Sequence, residues 1–248
     1  MNPFPFIAAL LIAPMAAASA SSADWLAQPG RAPNSVAADA VRKPAEVLTF
    51  LGIKEGDVAL DYGAGGGYYS DIMAAAVGPG GKVIAWDGGQ FKGGEALAAR
   101  WRDITTRHAN VSRLIQPIDG FSAPAASYDF ALLHLVYHDL YWESEQEKMP
   151  RRDPDQLVKA LFIAMKPGGI VGVVDHAGPA GDTRALVDQL HRIDPAVVKA
   201  DFLRAGFVLA GQSDILHVEN DDYSKDVFQP ETRSKSDRFI LKFQKPAS

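Results

Sequence analysis

Short apolar runs alternate with longer segments of helical spacing over most of this 248-residue chain. Seven runs of five to seven residues have the length and β-branched content of buried strands. They lie at 58 to 62, 82 to 86, 112 to 116, 130 to 134, 170 to 174, 207 to 213 and 238 to 243. Helical spacing is found at roughly 67 to 77, 93 to 106, 154 to 165 and 182 to 204. This alternation predicts βαβ units and a parallel sheet.

The ends of the pattern depart from simple alternation. Before the first strand, Ser35 precedes a helical stretch that ends at Gly52, and Pro44 is expected to kink it or to start a new segment. Pro195 is a second possible break, in the helical segment 182 to 204. The last two strands are separated by a polar stretch without a helical stripe. We therefore expect the last strand to be antiparallel to its neighbours.

A glycine-rich loop follows the first strand directly. Asp61-Tyr-Gly63-Ala-Gly65-Gly-Gly67 leads into a helical segment. Glycines allow a backbone to approach a ligand closely, and a helix N-terminus directs amide donors at it. The spacing differs from the dinucleotide fingerprint. The carboxylate of Asp61 before the loop suits a cationic sulfonium and amino group better than a pyrophosphate. A tight turn without a ligand is the alternative.

These residues resemble the first motif of class I S-adenosylmethionine-dependent methyltransferases, and the resemblance covers about residues 35 to 245. It implies a Rossmann-like, doubly wound α/β fold with a mostly parallel seven-stranded sheet and an antiparallel last strand. It implies S-adenosylmethionine as cofactor. The binding residues that it implies are Asp61, Gly63, Gly65 and Gly67 in the loop, Asp87 for the ribose, Asp119 near the adenine, and His134 on the cofactor side. Asp87 and Asp119 also fit simple turn or cap positions.

Histidines and carboxylates gather after the fourth and fifth strands. Tyr137-His138-Asp139, Asp175-His176 and the helical segment Leu190-His191-Arg-Ile-Asp194 are similar to motifs of a bacterial subgroup of exported methyltransferase-like proteins. Ligands in open α/β sheets bind beyond the carboxyl ends of the strands, so we expect these side chains at one rim. His108 and His217 have no partner nearby in sequence and are expected on the surface.

Two chemical interpretations fit this rim. In the first, His138 oriented by Asp139 or Asp175 is a general base for an acceptor, with His176 and His191 beside it. In the second, a divalent metal is bound, and its candidate ligands are His138, His176, His191 and Asp194. Packing without a chemical role is a third reading of each residue.

Composition limits the partners. Asp and Glu number 30 against 25 Lys and Arg, for a net charge of -5, which argues against a nucleic-acid partner. With no cysteine there is no disulfide or thiolate chemistry. A small-molecule acceptor is the expected substrate.

The first twenty residues are uncharged and apolar and end in small residues, which predicts a signal peptide cleaved after Ala20. The run is interrupted by Pro14 and is shorter than the roughly 20 residues of a membrane span. The expected organisation is a signal peptide (1–20), an N-terminal arm (21–34) and one methyltransferase-like domain (35–248), in a periplasmic or secreted protein with no stable membrane span after cleavage.

Three functions are compatible with these features. Methyl transfer to a small molecule is the leading one. A metal-dependent hydrolase or lyase that uses the His/Asp rim is the second. A non-catalytic ligand-binding protein of the envelope is the third, because a fold alone does not fix a function.

Overall fold

The computed structural model describes residues 21–89, 93–147 and 149–247. The predicted signal peptide, residues 1–20, lies outside the described residues. One seven-stranded sheet has the order β3-β2-β1-β4-β5-β7-β6. Its strands are β1 (Val58–Tyr62), β2 (Lys82–Asp87), β3 (Val111–Ile115), β4 (Tyr128–His134), β5 (Met165–His176), β6 (Val208–Ser213) and β7 (Arg238–Gln244).

The eight α-helices found in the described residues pack on the two faces of this sheet or border its edge. They are α1 (Ser22–Leu26), α2 (Pro33–Arg42), α3 (Pro44–Leu51), α4 (Tyr68–Val77), α5 (Gly94–Arg107), α6 (Pro154–Ala164), α7 (Thr183–Leu190) and α8 (Pro195–Arg204). A short 3₁₀ helix, His138–Tyr141, follows β4. Within the described residues, each helix is too short or too polar to cross a membrane.

Strands β3, β2, β1, β4 and β5 are parallel, and β7 is antiparallel to both β5 and β6. The prediction of a mostly parallel, doubly wound sheet with an antiparallel last strand is confirmed. In the register, Asp61 lies beside Ala85 of β2 and Leu132 of β4. Arg238 at the start of β7 lies beside His176 at the end of β5. The carboxyl ends of the parallel strands and the start of β7 therefore share one edge.

Alternate residues of β1 enter two separate cores. Leu60 and Tyr62 pack on the side of α6 and α8, whereas Ala59 packs on the side of α3 and α4. Tyr62 stacks on Trp86 at 4.3 Å between ring centroids. Because side chains alternate along a strand, Asp61 faces the α4 side. This alternation brings the carboxylate behind the glycine loop.

The breaks at the two prolines follow from local backbone geometry. Lys43 adopts a left-handed conformation (φ 42°) between α2 and α3, and Pro44 begins α3. His191 is also left-handed (φ 51°) and ends α7, so the segment predicted at 182 to 204 is two helices. The prediction of one helical segment from Leu190 to Asp194 was wrong, because His191 and Asp194 both lie at the break.

The segment 21–34 has no periodic pattern, but it contains α1 and the start of α2. Trp25 of α1 is buried, and α1 packs against α3 and α4. The buried Trp25 side chain thus anchors a segment that was predicted to be an arm on the domain surface.

Candidate cofactor site and histidine rim

The shape of the glycine loop is set by its backbone and by close packing. Gly63, Gly65 and Gly67 all have positive φ values, of 72°, 50° and 73°. A Cβ on Gly63 would stand 2.6 Å from Val136, and one on Gly67 would stand 2.6 Å from Ile104. These glycines are thus required by the protein's own packing as well as by any ligand. The loop packs closely against Val136, two residues after the end of β4.

A cavity of about 330 Å³ opens beside this loop, within the range of small-ligand pockets. We call it the glycine-loop cavity. The residues that line it come from α2, the glycine loop, α4, α5 and the end of β4. They are Asn34, Ser35, Ala38, Arg42, Asp61, Gly63, Ala64, Gly65, Gly66, Tyr68, Tyr69, Arg100, His134 and Leu135.

Asp61 is a buried carboxylate with little compensation. It is 3% exposed, and its partner is the Ser70 hydroxyl, which donates a hydrogen bond of 2.6 Å to Oδ2. Burial raises the pKa of Asp61 to about 6, because the Ser70 hydrogen bond and the Arg42 charge offset only part of the lost hydration. A cationic group in the cavity would restore the ionised form.

Two buried polar atoms in the same cavity have no hydrogen-bond partner among the described residues. They are Nε2 of His134 and the hydroxyl of Tyr69, whose rings lie 4.6 Å apart. Burial and the nearby Arg42 charge hold the pKa of His134 well below its usual value, so its imidazole is neutral. Buried polar groups are rarely left unpaired. Their position therefore favours a ligand that completes their hydrogen bonds.

Arginines supply the opposite charge. Arg42 lies 4.3 Å over the Tyr68 ring and has no carboxylate within salt-bridge distance among the described residues. Arg100 donates to the Ser35 hydroxyl at 2.7 Å. Because one carboxylate and two guanidinium groups line the same cavity, they match the ammonium and the carboxylate of an amino acid. The cavity thus fits the methionine half of S-adenosylmethionine.

The residues proposed for the nucleoside half fit less completely. Asp87 ends β2 as predicted but is 1% exposed, with Gly89 N–H donating to one oxygen and Arg113 to the other, both at 2.9 Å. A carboxylate oxygen has a second lone pair, so Asp87 can accept a further hydroxyl only if its surroundings open. Asp119 is exposed and lines a different cavity, of about 420 Å³, together with Tyr62 and Arg152.

The strands bring the predicted histidine rim together. Asp175 Oδ1 lies 2.7 Å from His138 Nδ1, and Asp175 Oδ2 accepts the His138 backbone N–H at 2.9 Å. Asp139 lies 3.3 Å from His138 Nε2. Burial lowers the pKa of His138, but the carboxylates of Asp175 and Asp139 outweigh it and raise the pKa to about 9. His138 is therefore protonated at neutral pH.

His176 and His191 lie on either side of His138, with ring centroids 5.9 and 6.0 Å away. His176 Nδ1 is 2.8 Å from the Ser236 hydroxyl, and burial lowers its pKa to about 3. His191 contacts the Phe228 ring at 4.7 Å, and its buried Nδ1 has no hydrogen-bond partner among the described residues. Neither ring shares a hydrogen bond with His138.

The arrangement gives the metal hypothesis no support. In the described part of the chain, no group of three or more His, Asp or Glu is placed to hold a metal ion. Asp194 is instead the N-cap of α8, where it accepts the Ala196 N–H at 2.7 Å. His108 was wrongly expected on the surface, since its side chain is 10% exposed and pairs with Asp71 at 2.8 Å.

Two residues that line the glycine-loop cavity, Arg42 and Arg100, were not predicted from the sequence. Ser35, Ala38 and Arg42 are three and four residues apart, so a helical stretch that includes them presents them on one face. This spacing was the available signal for the wall that α2 forms. For Arg100 there was no such signal, because its place beside the loop depends on how α5 packs.

Comparisons with known proteins agree with this architecture. The family model for protein-L-isoaspartate(D-aspartate) O-methyltransferase matches residues 23–90, which include the glycine loop and Asp87. A comparison with curated protein sequences finds no match.

Solved structures share the fold over nearly their whole length. A SAM-dependent methyltransferase from Aquifex aeolicus is 18% identical with a TM-score of 0.57, over 84% of this chain and 98% of the other. An S-adenosylmethionine-dependent methyltransferase from Mesorhizobium loti is 16% identical with a TM-score of 0.54, over 84% and 97%. The [4+2]-cyclase SpnF is 19% identical with a TM-score of 0.56, over 89% and 85%.

The chain therefore has the class I methyltransferase fold. At these identities the likeness establishes the architecture, and the activity must be argued from the site.

Proposed function

We propose that this protein transfers a methyl group from S-adenosylmethionine to a small-molecule acceptor. The observation that carries the proposal is the glycine-loop cavity, where the buried and poorly compensated Asp61 stands among unpaired buried polar atoms. The short match to a methyltransferase family model includes the loop itself.

The chain's own residues would bind the amino-acid part of the cofactor through charge. Asp61 would accept hydrogen bonds from its ammonium group, and Arg42 and Arg100 would pair with its carboxylate. His134 Nε2 and the Tyr69 hydroxyl would find partners in the same ligand. Each of these interactions offsets part of the free-energy cost of burying a polar or charged group without a partner.

When bound, S-adenosylmethionine supplies an electrophilic methyl group on its sulfonium. A nucleophilic atom of the acceptor takes the methyl group, and S-adenosylhomocysteine leaves. Asp87 and Asp119 remain proposals for the ribose and the adenine, and Asp87 would have to share the carboxylate that Arg113 now holds.

The histidine rim has a different task in this proposal. His138 and Asp175 do not line the glycine-loop cavity, and their mutual hydrogen bonds fix the segment after β4 that borders it. We assign them a positioning role. For His138 to act as a base, its ring must first lose the proton that the neighbouring carboxylates stabilise. Asp139, His176 and His191 remain proposed residues of the acceptor side, and of the three His176 lines a cavity that adjoins the glycine-loop cavity.

The proposal is tested by calorimetric titration of the full chain with S-adenosylmethionine and S-adenosylhomocysteine at about pH 8, where Asp61 is ionised. We expect saturable binding of both, weakened about tenfold or more by Asp61→Ala. Asp188→Ala, an exposed carboxylate on α7, is the control and should bind like wild type. Absence of binding to the wild-type chain would refute the proposal.

We further propose that the protein is exported after cleavage behind Ala20, on the strength of the apolar first twenty residues. The proposed acceptor is a small molecule and not a nucleic acid, because the chain is acidic overall. Cell fractionation with N-terminal sequencing of the mature chain tests the export proposal. A cytosolic protein that retains Met1 would contradict it.

A further inference from the structure

A second cavity, of about 470 Å³, adjoins the glycine-loop cavity along α2. We call it the basic cavity. Asn34, Ala38, Arg42 and Leu135 line both cavities. The remaining wall comes from α2, the end of β5, the segment 227–236 and the start of β7. It is formed by Ala37, Val41, His176, Val227, Phe228, Arg233, Ser234, Ser236 and Arg238.

The charge of this wall is opposite to that of the whole chain. Three arginines, Arg42, Arg233 and Arg238, line the basic cavity and no Asp or Glu does, although the net charge of the chain is -5. None of the three has a carboxylate within salt-bridge distance among the described residues. Of the other buried arginines, Arg31 is paired with Asp39 and Arg192 with Asp221, whereas Arg152 donates to a backbone carbonyl.

Arg238 is the clearest case. It is 7% exposed, and one terminal nitrogen donates to the Val41 carbonyl at 2.9 Å. Its Nε has no hydrogen-bond partner among the described residues. A buried guanidinium without a counter-ion is costly, and an anion in the cavity would remove much of that cost.

The rest of the wall is apolar and includes unusual backbone. Val41, Leu135, Val227 and Phe228 face the basic cavity, and Phe228 is 56% exposed. Leu135 and Ser234 have left-handed backbones, with φ of 54° and 63°. Such conformations in residues other than glycine cost free energy and cluster at ligand sites. The cavity thus offers cationic donors beside a hydrophobic surface.

We propose that the basic cavity binds the acceptor through an anionic group, a carboxylate or a phosphate, while its apolar body packs on Phe228 and Leu135. This inference rests on the proposed function, because the shared wall at Arg42 places the acceptor next to the cofactor. It narrows the substrate class to small organic anions.

The test uses benzoate and phenyl phosphate as probes, with benzylamine and benzyl alcohol as cationic and neutral controls. Each is titrated into the full chain and followed by calorimetry. The anions should bind more tightly than either control, and their affinity should fall as salt is added. The relative affinities for benzoate and phenyl phosphate indicate whether the anionic group of the acceptor is a carboxylate or a phosphate.

Variants then assign the binding to this cavity. Arg238→Gln should weaken anion binding about tenfold or more, since it removes a charged donor from a buried site. Arg233→Gln, at the exposed rim, should weaken it roughly two- to fivefold. Arg233→Gln also serves if loss of the Val41 tether prevents Arg238→Gln from folding. The control Arg102→Gln, on α5 and paired with Glu95, should bind like wild type.

Two results would overturn the inference: anions that bind no better than benzyl alcohol, or anion affinity unchanged in both cavity variants. Titration of the same samples with S-adenosylmethionine separates this inference from the proposed function. If S-adenosylmethionine binds and the anions do not, only the proposal for the basic cavity is refuted. If the anions bind and Arg233→Gln weakens that binding, but S-adenosylmethionine does not bind, the anion site stands and the methyl-transfer proposal is refuted.

Discussion

Asp61 and Asp175 are both buried carboxylates, at the ends of two strands of the same sheet, and their surroundings are opposite. Asp61 is bonded to one hydroxyl, and its pKa is raised. Asp175 accepts the backbone N–H groups of His138 and His176 and pairs with the His138 ring. Although burial raises the pKa of Asp175, these partners outweigh it and lower the pKa.

This difference distinguishes a binding group from a structural group. The charge of Asp175 is satisfied within the protein, so its removal should damage the fold. The charge of Asp61 is not compensated within the protein. Its removal should therefore raise the free energy of unfolding and weaken ligand binding. Measurements of stability and of ligand affinity on the same variants therefore test whether Asp61 and Asp175 differ in this way.

The largest expected effect is that of Asp175→Ala. Breaking a buried ion pair leaves His138 charged without its partner, which costs about 3 to 5 kcal/mol of unfolding free energy. Urea denaturation at neutral pH measures this loss. Asp188→Ala, an exposed carboxylate, should change stability by less than about 0.5 kcal/mol. A loss below about 1 kcal/mol for Asp175→Ala would show that the pair is not structural.

The second effect has the opposite sign. The folded chain holds the Asp61 proton more tightly than the unfolded chain, with a pKa of about 6 against 3.8. This contribution to stability is complete below the unfolded pKa and is lost as pH rises through 6. At about pH 8, Asp61→Asn should therefore be more stable than wild type by roughly 2 to 3 kcal/mol.

The same variant carries its own control in pH. Near the unfolded pKa of 3.8 the advantage of Asp61→Asn should shrink greatly, because the wild-type carboxyl is then protonated in the folded state. Thermal or urea unfolding of both proteins across this range gives the difference directly. A variant less stable than wild type at high pH would place Asp61 in the same structural class as Asp175.

A third effect concerns binding. If the ionised form of Asp61 holds the ammonium of S-adenosylmethionine, affinity should level off above pH 6, until the ammonium itself loses its proton, and should fall below pH 6. Between about pH 7 and about pH 5 the loss should be roughly tenfold. Calorimetry on wild type and Asp61→Asn checks this, since the variant should bind weakly without that pH dependence. A wild-type affinity that stays flat down to pH 5 would mean that Asp61 does not contact a cation.

The smallest effect tests the histidine rim. Because Asp194 is the N-cap of α8, Asp194→Ala should lower the free energy of unfolding of the protein by about 1 kcal/mol. In Asp194→Ser most of this loss should be absent, because Ser is also a good N-cap residue. Added zinc should not alter the melting temperature difference between the variants. A difference that depends on zinc would bring Asp194 back as a metal ligand.

The fold was largely predictable, because strand and helix periods are local properties of the sequence. Val58 to Tyr62 is a buried strand with a glycine loop after it in both the pattern and the structure. The antiparallel direction of β7 followed from the absence of a helical pattern between the last two strands, whereas its position between β5 and β6 was not predicted. Left-handed His191 was not predictable, since the pattern continued through it and only Pro195 signalled a break.

The site was predictable where one motif defines it, or where residues directly follow parallel strands as in the histidine rim. Asp61 and the glycine loop form one continuous motif, whereas Arg238 reaches the rim because β7 pairs with β5 in one particular register. No pattern near Arg238 in the sequence records that pairing. The sequence likewise could not show that Asp87 is already held by Arg113, which is 26 residues away.

The position of Arg42, at the border of both cavities, has a thermodynamic consequence. One positive charge stands within reach of two anionic groups, so a ligand in one cavity alters the free energy of binding in the other. By linkage the effect is equal in both directions: if the acceptor weakens the hold on the methyl donor, the donor weakens the hold on the acceptor to the same degree. A single guanidinium on α2 would then set how strongly the affinity for each ligand depends on the presence of the other.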